Sequence, residues 1–448
     1  MATVKSEEHL LKEKTRKQRG LREEIEKKHG KSPEQLYEER EKRVRDAIEL
    51  REPDRVPVTM AYGYCYYFAA KYTGLPLSAV YYDPVASREA VKKTILDFEP
   101  DLYTGGFAGA NAGTALEALD PHHTKWPGGP LPPDVAHQAI EQEYMKESEY
   151  DLFLADPTDF TLRYLLPRAF GALGPLAKLP SLTDRFTQFP GFTSIFATPE
   201  FQKVAEILFK AGREQQKFNE AGAGFEEEMA SLGFPPHSHG GGAGGAPFDA
   251  ISDFYRGMRG TMTDMYRCPD KLLAACDKIF EMRLARATPA DPKKKGNPKR
   301  MTMALHRGAE GFMSKKQFET FYWPGLKKAI LSAINLGFIA IPFCEGRYGD
   351  RLEYFLELPK GKVVCFFDQT DMFRAKDVLR DHVCIQGNVP SALLQIGSPQ
   401  EVEEYCSTLI KVCGKGGGFI LSAGSSIDEA KPANIKAMID SVKKYGWY

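Results

Sequence analysis

Four short apolar runs, each ending in polar residues, follow one another in the C-terminal part of the chain. The runs are Phe338–Phe343, Lys362–Phe367, His382–Ile385 and Gly418–Leu421. Apolar runs of about four to six residues are typical of strands buried on both faces. The segments between them have helical patterning, and this alternation predicts βα units around a parallel sheet. In such a fold the polar residues at the C-terminal strand ends carry the chemistry.

Similar runs earlier in the chain bring the number of candidate strands to about eight, as a closed barrel requires. These earlier candidates lie near Val56, Leu102, Phe225–Met229 and Met303. The predicted fold is therefore α/β, a (β/α)8 TIM barrel. The chain of 448 residues is long enough to bury such a core.

The N-terminus differs in composition from the rest of the chain. Residues 1–42 are rich in Lys, Glu and Arg and predict a helical N-terminal arm. The barrel is expected over residues 43–448, with a helical insertion at about 150–220. An exposed extension is the simplest interpretation of the arm, and contact with a second subunit, as in a homodimer, is the alternative.

Composition excludes several classes of partner. The 60 basic and 60 acidic residues balance, so neither nucleic acid nor an anionic membrane is an expected partner. Cys365 and Cys384 lie inside apolar runs, which suits a reducing compartment. The chain shows no signal-peptide pattern and no apolar run of about 18 residues, so a cytoplasmic location is expected.

Four polar residues directly follow apolar runs and are predicted to line one cavity at the barrel mouth: His306, Cys344, Glu345 and Asp368. Cys344, His306 and Glu345 are the candidate ligands of a metal ion such as zinc. Without a metal, Glu345 or Asp368 could act as a general acid, and His306 joins them as a candidate catalytic residue. The alternative is that Asp368 and Asn388 cap loops and Cys344 belongs to the core.

A glycine-rich loop between Gly233 and Asp249 contains His237 and His239. Such glycine density favours a lid or a close backbone approach to a ligand. The H-x-H pair could bind a metal, or it could be two exposed loop residues.

Several motifs resemble the uroporphyrinogen decarboxylase superfamily. They are Glu52–Val58, Gln386–Pro390 with Leu394–Val402, and Ser422–Ser425 with Lys431–Met438. This superfamily holds true uroporphyrinogen decarboxylases and corrinoid-dependent methyltransferases, both on (β/α)8 barrels. The resemblance runs roughly from Arg43 to the C-terminus.

The segment Tyr62–Tyr67 favours the methyltransferase branch. True uroporphyrinogen decarboxylases carry arginines here that bind the tetrapyrrole carboxylates, whereas this chain has no arginine between Arg55 and Arg88. Buried carboxylates without guanidinium partners are costly. The resemblance implies that a corrinoid instead contacts Tyr62, Tyr64, Asn388, Gln386 and Ser425. Alternatively, the tyrosines pack the barrel mouth.

The resemblance also bears on the metal. Superfamily members acting on coenzyme M hold zinc through His-x-Cys and a later Cys. Cys344 matches the first Cys, but Pro342 stands at the His position and Ser425 at the later Cys. This site is not reproduced, so a methoxylated or N-methylated donor is favoured over a thiol.

The function implied is methyl transfer between a small molecule and a corrinoid (cobalamin) on a partner protein. The chain lacks the Asp-x-His-x-x-Gly pattern of a cobalamin-binding domain, so the corrinoid comes from outside. A decarboxylase of a carboxylated aromatic or tetrapyrrole is one alternative. A non-catalytic binder of corrinoid or tetrapyrrole is another.

Overall fold

The computed structural model describes residues 2–61, 65–104, 111–180, 190–242 and 244–448. Within them, five parallel strands form one sheet in chain order. The strands are β1 Arg300–Leu305, β2 Ile339–Cys344, β3 Val364–Phe367, β4 Cys384–Val389 and β5 Phe419–Ala423.

Three short extended segments, residues 56–60, 101–104 and 234–239, join β5 back to β1. The first bonds to β5 through Thr59 N and Leu421 O at 3.0 Å and to the second through Asp101 N and Val58 O at 2.9 Å. The second bonds to the third (His237 N to Tyr103 O, 2.8 Å), and the third to β1 (His239 N to Arg300 O, 2.8 Å). Eight segments thus follow one another around a ring, which confirms the predicted α/β barrel.

One strand prediction was wrong. Residues 225–229 lie in the helix Phe225–Ser231, in which Phe225, Met229 and Ala230 are buried at helical spacing. The corresponding barrel segment is residues 234–239. Strand β4 also extends beyond its apolar run and includes Gln386, Gly387 and Asn388, which the sequence had assigned to the strand end.

Helices make up most of the remaining chain. The α-helices are Ala2–His29 (α1), Pro33–Ile48 (α2), Tyr66–Thr73, Ala79–Tyr82, Pro84–Phe98, Gly113–Leu119, Tyr150–Ala155, Pro157–Phe160, Leu166–Ala169, Pro199–Gly222, Phe225–Ser231, Pro247–Ile251, Gly257–Arg267, Pro269–Leu284, Lys315–Gln317, Trp323–Asn335, Met372–Leu379, Ser391–Ile396, Pro399–Cys413 and Pro432–Tyr445. The 3-10 helices are Glu147–Glu149, Gly171–Lys178, Pro190–Ala197 and Gly349–Glu357. The π-helices are Thr161–Leu165, Ser252–Arg256 and Phe318–Tyr322.

Two features complete the outline of the fold. A small antiparallel hairpin joins Thr124–Lys125 to Gln138–Ala139. None of the helices in the described ranges is long and apolar enough to span a membrane.

The two faces of strands β2, β3, β4 and β5 pack into different apolar clusters. In β2, Ile339, Ile341 and Phe343 join a cluster that draws on β3, β4, β5 and helix α2, and this cluster fills the barrel interior. Ala340 and Cys344 join the larger cluster between the strands and the surrounding helices. The alternation follows from the two-residue period of a strand.

Helix α2 closes the N-terminal end of the barrel. Its apolar residues Val44, Ala47 and Ile48 pack against the interior cluster. Its Glu41 accepts hydrogen bonds from the Arg300 guanidinium at 2.9 and 2.8 Å. We call this closed end the base and the opposite end the mouth.

A second buried ion-pair group also lies at the base. Asp101 accepts hydrogen bonds from Arg43 at 2.6 Å, from Arg55 at 2.7 and 2.8 Å, and from the Val58 backbone at 2.9 Å. Burial alone would raise its pKa, but the Arg55 and Arg43 guanidiniums hold the pKa of Asp101 below its usual range. Helix α2, which carries Arg43, is thereby joined to the first two barrel segments.

The C-terminal half of helix α1, in the N-terminal arm, packs against the rest of the chain. In α1, Gln18 and Arg22 bond to Ser231, and His29 bonds to Glu99. The predicted domain boundary at residue 43 falls inside α2, and the division into arm and barrel stays a prediction.

We predict that Asp101→Asn lowers the free energy of unfolding by about 3–5 kcal/mol, because the buried Arg55 guanidinium loses its anionic partner and Arg43 keeps only Asp54. Urea denaturation at pH 7 measures the change. Because the Asp101 pKa is depressed on folding, its stabilising effect is present above the unfolded-state pKa. The difference in the free energy of unfolding between wild type and variant should therefore shrink as pH falls through the folded-state pKa of Asp101.

The matched control is Asp440→Asn, which breaks an exposed pair with Lys436 on one helix. We expect little change in the free energy of unfolding for this control variant. A similarly small effect for Asp101→Asn would contradict a stabilising role for the base ion pairs.

Candidate functional site

Three of the predicted site residues stand side by side at the mouth. Leu305 pairs with Cys344, and Cys344 with Phe367, so the residues that follow them leave the sheet at one level. Those residues are His306, Glu345 and Asp368. The structure therefore brings both predicted acids and the predicted histidine together.

His306 is fixed by two carboxylates. Its Nδ1 lies 2.6 Å from Asp253 Oδ2, and its backbone N–H donates to Asp249 at 3.0 Å. The hydrogen bond to Asp253 raises the pKa of His306, and the nearby Asp249 and Glu345 carboxylates act in the same direction. With Nδ1 bound, Nε2 is the nitrogen that remains for a ligand.

Asp249 was not singled out as a site residue from the sequence. It is fully enclosed and accepts hydrogen bonds from the backbones of His306 and Arg307 and from the Tyr322 hydroxyl. Burial raises its pKa to about 6. Asp249 orders the turn after β1, and its position at the end of the glycine-rich loop between Gly233 and Asp249 was the available signal.

The Arg307 side chain is bound by other side chains of the protein. Its guanidinium donates to Asp253 at 3.1 Å and to Ser252 at 3.0 Å, and it lies 3.6 Å from Glu141. This arginine beside the mouth is thus neutralised by two carboxylates.

Glu345 and Asp368 supply the acidic side of the mouth. Glu345 is exposed, yet the surrounding protein removes enough water from its carboxyl to raise its pKa, and the Asp368 carboxylate adds to this shift. Burial also raises the pKa of Asp368, which accepts a hydrogen bond from Gly346 N at 3.1 Å. Both groups hold a proton at higher pH than ordinary carboxylic acids.

The Gly387-Asn388 motif has a packing explanation. Gly387 has φ +130°, and a Cβ there would lie 2.5 Å from Phe367 O. Asn388 donates to Asp368 O at 3.1 Å and to Thr370 O at 2.8 Å. Both residues thus order the loop that carries Asp368, as the loop-capping alternative stated. Ser425 is half-buried just beyond β5.

His237 and Gln386 form a hydrogen bond below the mouth. His237 Nε2 lies 3.0 Å from Gln386 Oε1. His237 is 4% exposed and Gln386 0% exposed, so the interpretation of His237 as an exposed loop residue was wrong. His239 instead accepts a hydrogen bond from Arg300 N at 3.1 Å.

Cys344 does not join the other mouth residues. Its thiol is fully buried in the cluster between strands and helices, as the core alternative stated, and burial raises its pKa. Because adjacent residues of a strand face opposite ways, Cys344 lies on the outer face of β2. Within the described ranges no group of three His, Cys, Asp or Glu is arranged to hold a metal, so Cys344, His306 and Glu345 are not a preassembled ligand set.

Tyr62 and Tyr64, the predicted corrinoid contacts of the tyrosine segment, lie outside the described residues. The neighbouring Tyr67 is buried and bonds to Tyr81 at 3.0 Å and to His137 at 3.2 Å. This tyrosine thus packs the structure, as the alternative interpretation stated.

Comparison with known proteins supports this description of the fold. Residues 239–445 match the family model described as Uroporphyrinogen decarboxylase (URO-D). Among solved structures, a methyltransferase from Methanosarcina mazei matches with a TM-score of 0.54 at 14% identity, over 90% of this chain and 98% of that one. A search of curated proteins found no match. The part of the chain that carries β1–β5 and the mouth residues, residues 239–445, is therefore similar to the uroporphyrinogen decarboxylase family.

Proposed function

We propose that the protein is a methyltransferase that moves a methyl group between a small molecule and a corrinoid carried by a partner protein. The observation that carries the proposal is the cluster of His306, Glu345 and Asp368 at a single open mouth. The similarity of residues 239–445 to the uroporphyrinogen decarboxylase family and the likeness to a protein called a methyltransferase support it.

The mouth residues suit the cleavage of a methyl–oxygen or methyl–nitrogen bond. When the methyl group leaves, the remaining oxygen or nitrogen gains an electron pair and needs a proton. The Glu345 carboxyl keeps its proton to higher pH than an ordinary glutamate and can supply it. Asp368 holds the loop beside it, and His306 Nε2, oriented by Asp253, can bind the substrate heteroatom.

The corrinoid is proposed to cover the mouth, where it supplies the methyl-accepting centre. Ser425, just beyond β5, and Asn388, near the end of β4, remain proposed contacts, as do Tyr62 and Tyr64. Gln386 is fully enclosed below the mouth, so we assign it to the substrate instead. No step is assigned to zinc, because the predicted ligands do not converge.

We predict that Glu345→Gln lowers the rate of methyl transfer to a free corrinoid by about 10²-fold, because an amide cannot supply the proton. Asp368→Asn should also slow the reaction by disturbing the same loop. Cobalamin absorbance with methoxylated and N-methylated donors measures the rate.

Glu353→Gln, an exposed glutamate eight positions further along, is the matched control. Cys344→Ala should retain activity because its thiol faces away from the mouth. Full activity in both Glu345→Gln and Asp368→Asn, or rapid methylation of coenzyme M, would contradict the proposal.

A second prediction separates this function from uroporphyrinogen decarboxylation. Coproporphyrinogen should not form from uroporphyrinogen, because Arg307 is paired with Asp253 and Glu141 while Glu345 and Asp368 would repel an octacarboxylate. Chromatography of porphyrins after incubation with the purified protein is the measurement. Formation of coproporphyrinogen would overturn the methyltransferase assignment in favour of a carboxy-lyase.

A further inference from the structure

The hydrogen bond between His237 and Gln386 spans the barrel interior. His237 belongs to the third segment of the ring, residues 234–239, and Gln386 to the seventh, β4. In a ring of eight, these two segments are four positions apart in either direction and so lie on opposite sides. The His237 ring also packs edge-on to Phe366, with centroids 6.1 Å apart. These residues form a polar layer across the barrel interior, which we call the floor.

Two polar atoms at this level are left without partners. Gln386 Nε2 and Thr59 Oγ1 are buried, and neither has a hydrogen-bond partner among the described residues. Thr59, on the first segment, is 0% exposed and stands two segments from both His237 and Gln386. Buried polar groups are normally paired, because leaving a donor unsatisfied is costly. The two atoms are therefore polar groups whose hydrogen bonds a bound ligand can complete.

The floor is electrically neutral. Burial lowers the pKa of His237 to about 4, so its imidazole is uncharged at pH 7. The nearby Arg300 is bound by Glu41 in the base, and above the floor Asp368 and Glu345 are acidic. A carboxylate or phosphate placed here would be a buried anion without a cationic partner.

We propose that Gln386 Nε2 and Thr59 Oγ1 form a subsite that binds a neutral oxygen acceptor, such as an ether, hydroxyl or carbonyl group, on the buried end of the substrate. The role of this subsite in turnover rests on the proposed function. It selects small, uncharged, oxygen-bearing molecules and rejects anions and hydrocarbons. Gln386 and Thr59 are thus specificity-determining residues.

The test compares three probes of similar size: anisole, toluene and benzoate. Isothermal calorimetry on the full chain should show that anisole binds at least about five-fold more tightly than toluene, the ratio expected for one hydrogen bond. Benzoate should bind more weakly than either. Equal affinities for anisole and toluene, no binding of any probe at millimolar concentration, or tightest binding of benzoate would each overturn the subsite.

Thr59→Val removes only the hydroxyl and keeps the shape of the side chain. It should abolish the preference for anisole over toluene, and Gln386→Leu should do the same. Thr94→Val is the matched control, since Thr94 is also buried but its hydroxyl donates to Ala90 O at 2.9 Å. That variant should leave the preference unchanged.

Thermal stability without a probe gives a second, independent result. Thr59→Val should unfold at the same or a higher temperature than wild type, because the lost hydroxyl had no partner. A decrease as large as that of Thr94→Val would mean that a permanent water satisfies Thr59, and would overturn the subsite. Binding is measured without any corrinoid, so failure of methyl transfer with an intact anisole preference refutes the proposed function and not the subsite.

Discussion

The barrel depends on the buried charges at its base. Arg300 on β1 is bound by Glu41 of helix α2, while Asp101 holds Arg43 of the same helix and Arg55. Each charge is costly to bury alone and is tolerated because its partner is fixed by secondary structure. These contacts join α2 to strands from different parts of the ring, so the helix that closes the barrel also fixes the relative positions of those strands. The mouth residues follow the other ends of these strands, so the positions of their backbones depend on the same contacts.

The sequence allowed the fold to be predicted for a simple physical reason. Strands buried on both faces are apolar throughout, and the four C-terminal runs together with the candidate near Met303 are the five strands of the sheet, with ends shifted by a few residues. The same uniformity hides which residues face inward. All six residues of β2 are buried, so nothing distinguishes Phe343, which faces the interior, from Cys344, which faces the helices. The candidate site was therefore predicted with Glu345 and Asp368 in place and Cys344 on the wrong side.

The remaining parts of the site come from distant positions along the chain. Asp253 bonds to His306 across 53 residues, and His237 to Gln386 across 149. Short helices such as Pro247–Ile251 and Ser252–Arg256 have too few residues to show which neighbour they will contact. The Phe225 segment shows the opposite error, since its apolar residues have the helical period and were assigned to a strand. Local pattern therefore located the strand ends but not the partners that orient their side chains.

The closure of the base by α2 has a kinetic consequence. A barrel plugged at its base is entered from the mouth, so in the described part of the chain a ligand reaches His306, Glu345 and the floor from that end. If a partner protein covers the mouth as proposed, a small molecule has to enter before that partner binds and its product leaves only after the partner dissociates. Under the proposed function, the architecture therefore implies an ordered sequence of binding in which the partner protein arrives last and departs first.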